Sequence, residues 1–252
     1  MGRTEESYKA YIRELVGEGW WKPLPEVIRF QEQHLSPAGA RIFALEHCVF
    51  AKSFPRWFGN IVANCPELDA RRYMIENMYV EEVRDPTIQR GHYESLVDFA
   101  VALGCQREEV YAYPASITTT MGLAYFDNIA RTLPWKEAFA SIGVLELINN
   151  DALAARYGQV PLNSPRRWAP LRLKGEAMSH WQAAEVADGG SVEGIAGHGE
   201  EALEILARYA RDEEQQEAAA RALAEALRVF KFQYDDIGLR AIEASRQVAT
   251  AV

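Results

Sequence analysis

A chain of 252 residues, 48% hydrophobic and 25% charged, has ample apolar mass for a continuous core, and one domain over 1–252 is expected, with 1–22 as an N-terminal helix or arm. The net charge of −9, with no long Lys/Arg cluster, argues against a nucleic-acid partner. Met1-Gly2-Arg3-Thr4-Glu5-Glu6-Ser7 lacks an apolar signal core, and no window approaches the roughly 18 uncharged apolar residues of a membrane span, so a cytoplasmic protein without membrane contact is expected. Helical periodicity runs through almost the whole chain, with Gly and Pro falling mostly between the periodic segments. Helices are predicted over 5–17, 24–34, 37–63, 67–83, 91–104, 114–132, 135–157, 170–188, 199–211 and 213–247, and no run of strands is read. Pro66-Glu67-Leu68-Asp69 opens the fourth with acids at its positive end. The residues 158–170, with Pro161, Pro165 and Pro170, form the longest irregular stretch and read as a lid or crossover. The last helix is the clearest, because Leu223, Leu227, Phe230, Tyr234 and Ile237 recur at spacings of four and three and write one apolar stripe. Trp20-Trp21 and Phe54-Pro55-Arg56-Trp57-Phe58 are read as core or interface aromatics.

The chemistry falls to acids and histidines, since there is no glycine-rich phosphate loop, nucleophile elbow or H-E-x-x-H motif. Cys48, Cys65 and Cys105 are odd in number and far apart, which suggests small core residues rather than disulfides or a thiolate zinc site. Glu146 lies within Ile142-Gly143-Val144-Leu145-Glu146-Leu147-Ile148 and is expected to be buried, where a carboxylate needs a cation or several donors. Glu81 and Glu82 end one helix, and His92 starts the next beyond the break at Asp85-Pro86; carboxylate and imidazole placed so can converge on iron, manganese or zinc. A third cluster contains His180, Glu185, Asp188 and His198, with Gly189, Gly190, Gly194, Gly197 and Gly199 close by. Such glycines let a backbone approach closely or bend a helix. His47, in an apolar helix, reads as a core or pocket-lining residue.

The series Phe54-Pro55-Arg56-Trp57, Asn64-Cys65-Pro66-Glu67-Leu68, Asn77-Met78-Tyr79-Val80-Glu81-Glu82, Gly91-His92-Tyr93 and Phe99-Ala100-Val101-Ala102-Leu103-Gly104 resembles the first half of the heme-oxygenase-like diiron oxidases. These are relatives of pyrroloquinoline quinone synthase and thiaminase II. The resemblance continues through Trp135-Lys136-Glu137-Ala138 to Gly143-Val144-Leu145-Glu146 and from Leu203 to Asp236, and so spans most of 30–240. It implies an all-α heme-oxygenase-like bundle that binds Fe(II), two ions, and uses O2 to oxidise a small amino acid, amine or carboxylic acid. A homodimer is also implied. By position, Glu81 or Glu82 matches the first carboxylate, His92 the first histidine and Glu146 the central carboxylate. The third motif, His-x-x-x-Asp-x-x-His in metal-binding members, departs: counted back from His198 it meets Ser191 and Ile195, and counted forward from His180 it offers Glu185 and Asp188 at altered spacing. The second register is favoured, with a break bringing His180, one acid and His198 together. The resemblance thus implies Glu81, Glu82, His92, Glu146, His180, Glu185, Asp188 and His198 as the metal set, with Glu146, His92 and His198 at the chemistry. Arg166, Arg167, Arg172 and Lys174 are the cations available to a substrate carboxylate. A metal-free oxidase using His92, His180 and His198 for proton transfer, and a non-enzymatic helical binding protein, are the rival readings.

Overall fold

A computed structural model describes residues 2–189 and 197–250, with the side chains of residues 188, 249 and 250 outside that description. The described residues form an all-α protein: α1 (Glu5–Trp21), α2 (Glu26–Gln33), α3 (Pro37–Asn64), α4 (Leu68–Glu82), α5 (His92–Ala102), α6 (Arg107–Tyr111), α7 (Ile117–Thr132), α8 (Trp135–Ile142), α9 (Asp151–Arg156), α10 (Pro165–Trp168), α11 (Ser179–Gly189), α12 (His198–Tyr209) and α13 (Glu213–Thr250). Local chemistry sets several starts. The side chains of Thr4, Ser36 and Ser116 accept backbone hydrogen bonds at the first turns of α1, α3 and α7, and Pro37 supplies a preset φ at the head of α3. α6, absent from the sequence reading, begins with a reciprocal capping box between Gln106 and Glu109.

The stripe of α13 is buried as expected, with Leu223, Leu227, Phe230, Tyr234 and Ile237 all at 4% exposure or less. At roughly 1.5–3 kcal/mol for each large apolar side chain removed from water, this seam is enough to hold the longest helix as a spine. It packs along α1, α2, α3, α7 and α8, while α3 also packs on α4, α5 and α7. Among the described residues no helix is long and apolar enough to cross a membrane. Cys48, Cys65 and Cys105 are buried free thiols, as expected, and burial pushes the Cys48 thiol up.

Two predicted helices break. The span 135–157 divides into α8, a 3-10 segment Val144–Asn149, and α9. Asn150 causes the restart: extended at φ −76°, ψ 123°, it caps α9 with its side-chain oxygen on Leu153 N at 2.8 Å. The span 170–188 instead holds 3-10 turns at Ala169–Leu171 and Gly175–Met178 before α11, and part of the irregular 158–170 is the short α10. Glu146 is therefore not enclosed in an apolar helix; it sits on a 3-10 turn with its side chain 14% exposed.

The carboxylate that is wholly buried is Glu46 on α3, which sequence reasoning passed over. It receives Arg240 of α13 at 2.6 Å, Tyr113 Oη at 3.0 Å, and the backbone N and hydroxyl of Ser116 at 3.2 and 3.3 Å. These donors compensate its removal from water and tie α3, α7 and α13 together.

Candidate active site

A cavity with about 700 Å³ of empty space, part of it open to solvent, is lined by Glu81, His92, Glu146, His180, His47, Asn149 and Asn163 among apolar side chains. Two imidazole–carboxylate pairs are built by the same device; Glu81, His92 and Glu146 line the cavity, and His198 stands beside Glu146. Gly91 packs so closely on the end of α4 that an added Cβ would lie 2.8 Å from Glu81 O and Glu82 C. That approach places His92, the first residue of α5, with Nδ1 2.9 Å from Glu81 Oε1. Gly199 likewise sits against the 3-10 turn, where a Cβ would lie 2.5 Å from Leu147 N and 2.8 Å from Glu146 C. It brings His198, first in α12, with Nδ1 to 3.8 Å from Glu146 Oε2. Gly199→Ala is accordingly expected to push α12 off the turn, lowering stability by roughly 1–3 kcal/mol in urea titrations.

His92 carries a second carboxylate, since Asp85 Oδ2 lies 2.9 Å from Nε2. Burial alone would raise Asp85, but hydrogen bonds from His92 and Thr87 outweigh it and hold this carboxyl well below the usual range. Glu81 lines the cavity and Asp85 does not, so Asp85 orients the ring and Glu81 is the donor left facing the interior. Glu82, one residue on, is exposed.

His180 is 5% exposed, and burial first, then the neighbouring His92 and His47, lowers its pKa well below the ordinary value, so the ring is neutral. Its Nδ1 lies 3.1 Å from the His92 carbonyl, which can only accept, so Nδ1–H donates there and Nε2 carries the lone pair. Ser95 Oγ donates to the same carbonyl at 2.7 Å. An imidazole with one N–H tied to a backbone carbonyl has the arrangement of a metal-ligating histidine.

The remaining candidates lie elsewhere. Glu185 faces a neighbouring hollow with Asp151, Asn163 and Ser164, its Oε1 3.4 Å from Ser164 Oγ. The side chain of Asp188 and the segment holding Gly190, Ser191, Gly194 and Ile195 lie outside the described residues. None of the four cations proposed for a substrate carboxylate lines the cavity. Arg166, Arg172 and Lys174 are exposed, and buried Arg167 is occupied by the carbonyls of Val160 and Pro161 and by Glu32. Sequence reasoning missed Asp85, Ser95, Asn149, Asn163 and Tyr234, whose Oη is 2.5 Å from His47 Nδ1. Asp85 had a local signal, seven residues before His92 at the chain break, but was read only as a turn.

The donors present, Glu81, Glu146, His92, His180 and His198, are carboxylate oxygens and imidazole nitrogens, the mixture that suits iron. Among the described residues no three His, Cys, Asp or Glu side chains are already grouped to hold an ion; they stand as two pairs and one preset imidazole.

Comparison with known proteins agrees with this chemistry. A stretch of 102 residues is 26% identical to 4-aminobenzoate synthase of Chlamydia muridarum, covering 40% of this chain and 42% of that protein. Another of 82 residues is 29% identical to 4-aminobenzoate synthase of Chlamydia pneumoniae, covering 32% and 35%. The chain thus matches well under half the length of either curated relative. The fold is similar to a domain of unknown function with a heme oxygenase-like fold from Shewanella denitrificans (TM-score 0.68, 15% identity, 93% of this chain and 90% of that one). It is also similar to a TenA homologue from Pseudomonas syringae pv. tomato (TM-score 0.64, 12% identity, 94% and 91%). The fold is therefore heme-oxygenase-like. The model of the family described as "Iron-containing redox enzyme" matches residues 41–234, so the chain belongs to that family of oxidoreductases.

Proposed function

We propose that this protein is a non-heme iron oxidase that uses O2 to oxidise a small organic molecule bound in the cavity, with two Fe(II) ions per chain. The observation that carries the reading is that Glu81, His92, Glu146 and His180 line one cavity, with His198 beside Glu146 and the Nδ1–H of His180 already committed to a carbonyl. Those five side chains would hold the metal, and iron when bound supplies the one-electron chemistry that side chains lack. The protein supplies the rest. Asp85 fixes the His92 ring, the His92 carbonyl fixes the His180 tautomer, and Gly91 and Gly199 set the approach of the two histidine-bearing helix ends. Phe50, Phe54, Ile142, Leu145, Leu162 and Phe230 form the apolar wall that keeps water from the reacting substrate.

The pairing of histidines with carboxylates also supports a second reading, in which His92, His180 and His198 move protons for an oxidation without metal. Anaerobic Fe(II) loading followed by metal analysis separates the two. The iron reading expects about two ions per chain and O2 consumption once substrate is supplied. A chain that stays iron-free after loading would defeat it.

A further inference from the structure

The 3-10 turn that carries Glu146 carries Asn149 one turn later. Residues three apart eclipse in a 3-10 helix, so both side chains leave the same side, and both line the cavity. Asn149 is 8% exposed, and its Oδ1 is buried with no hydrogen-bond partner in the protein. A buried acceptor left unanswered is destabilising, which is explained when a ligand brings the missing hydrogen. The charges around it agree. Among the described residues the cavity is lined by two carboxylates, Glu81 and Glu146, and by no Lys or Arg. The protein therefore offers an anionic head group no cation of its own, whereas an amine meets acceptors. Phe50, Phe54 and Phe230 provide an apolar wall for the body of the molecule, and flat rings pack well on such faces.

We propose that the cavity is selective for an aromatic amine-bearing substrate whose N–H is accepted by Asn149 Oδ1, making Asn149 the residue that sets specificity. The assignment rests on the reading of this cavity as the substrate site and narrows its substrate class.

Calorimetric titration of the full chain, iron-free and anaerobically loaded with Fe(II), tests it with three probes of matched shape: 2-phenylethylamine, n-propylbenzene and 3-phenylpropanoate. The comparison is read in the iron-free chain, where among the described residues no Lys or Arg lines the cavity, and there the amine is expected to bind at least about tenfold more tightly than the other two, as one buried hydrogen bond gained or lost allows. Asn149→Leu is expected to remove that preference while leaving n-propylbenzene unchanged. Asn149→Ala, which removes the acceptor without adding bulk or charge, is expected to weaken it likewise and serves if the leucine variant does not fold. Equal binding of amine and hydrocarbon, tighter binding of the propanoate, or an undiminished preference in a folded Asn149→Leu protein would overturn the assignment. Iron content measured on the same samples reports separately on the metal, so an amine preference without iron uptake would remove the iron-dependent reading and spare this one.

Discussion

Glu146→Ala is expected to lower Fe(II) uptake well below that of the unaltered chain, with affinity falling by more than the roughly 10–100-fold that follows loss of a ligand's hydrogen-bonding partner. Glu146 belongs to the pair with His198 and lines the cavity, and it is the one carboxylate of the 3-10 turn, so its removal takes away a charged oxygen donor that no other residue of the turn supplies. The fold should survive, because the side chain lines the cavity and is no part of the apolar core. Helical circular dichroism close to that of the unaltered protein would establish this. Glu82→Ala is the companion measurement: that side chain is exposed at the end of α4, and its loss should leave iron content unchanged. Unaltered iron binding in the Glu146 variant, or a collapse in the Glu82 variant, would show that the cavity is not the metal centre.

The largest effect on stability is expected from Arg240→Ala, at about 3 kcal/mol, read as a shift of the urea midpoint with unchanged slope. Removing one partner of a buried ion pair costs roughly 3–5 kcal/mol because the other charge is stranded. Glu46 is fully buried, but it keeps Tyr113 and the backbone N and hydroxyl of Ser116, which places the expectation at the lower end of that range. Replacing Glu46 and Arg240 together by methionine should cost less than Arg240→Ala, since no buried charge then remains without its partner. A midpoint unmoved by Arg240→Ala would mean that the three other donors alone satisfy Glu46. Neither residue lines the cavity, so iron content of the folded protein is expected to stay the same.

The helical bundle was legible because apolar periodicity is a local property. The α13 stripe from Leu223 to Ile237 needs no distant partner to be recognised, and every long predicted helix has its counterpart within a few residues, apart from the spans that break near 143–150 and 169–178. Those breaks depend on Asn150 capping backward and on Gly199 approaching the turn from 50 residues away, which periodicity does not register. Residue types at the site were legible too, since Glu81, His92, Glu146 and His180 do line one cavity, with His198 beside Glu146.

By itself the sequence determined the all-α class, the principal helices and the carboxylate–imidazole character of the site, because these follow from residue type and spacing along the chain. Tertiary structure alone decided that Glu81 faces inward while Glu82 faces solvent, that Asp85 backs His92, that Glu46 needs Arg240, and that among the described residues no Lys or Arg lines the cavity. Apart from Asp85 and His92, seven residues apart across a chain break, these depend on distances between segments far apart in the chain, where a helix rotation or a close glycine contact settles which side chain reaches the interior.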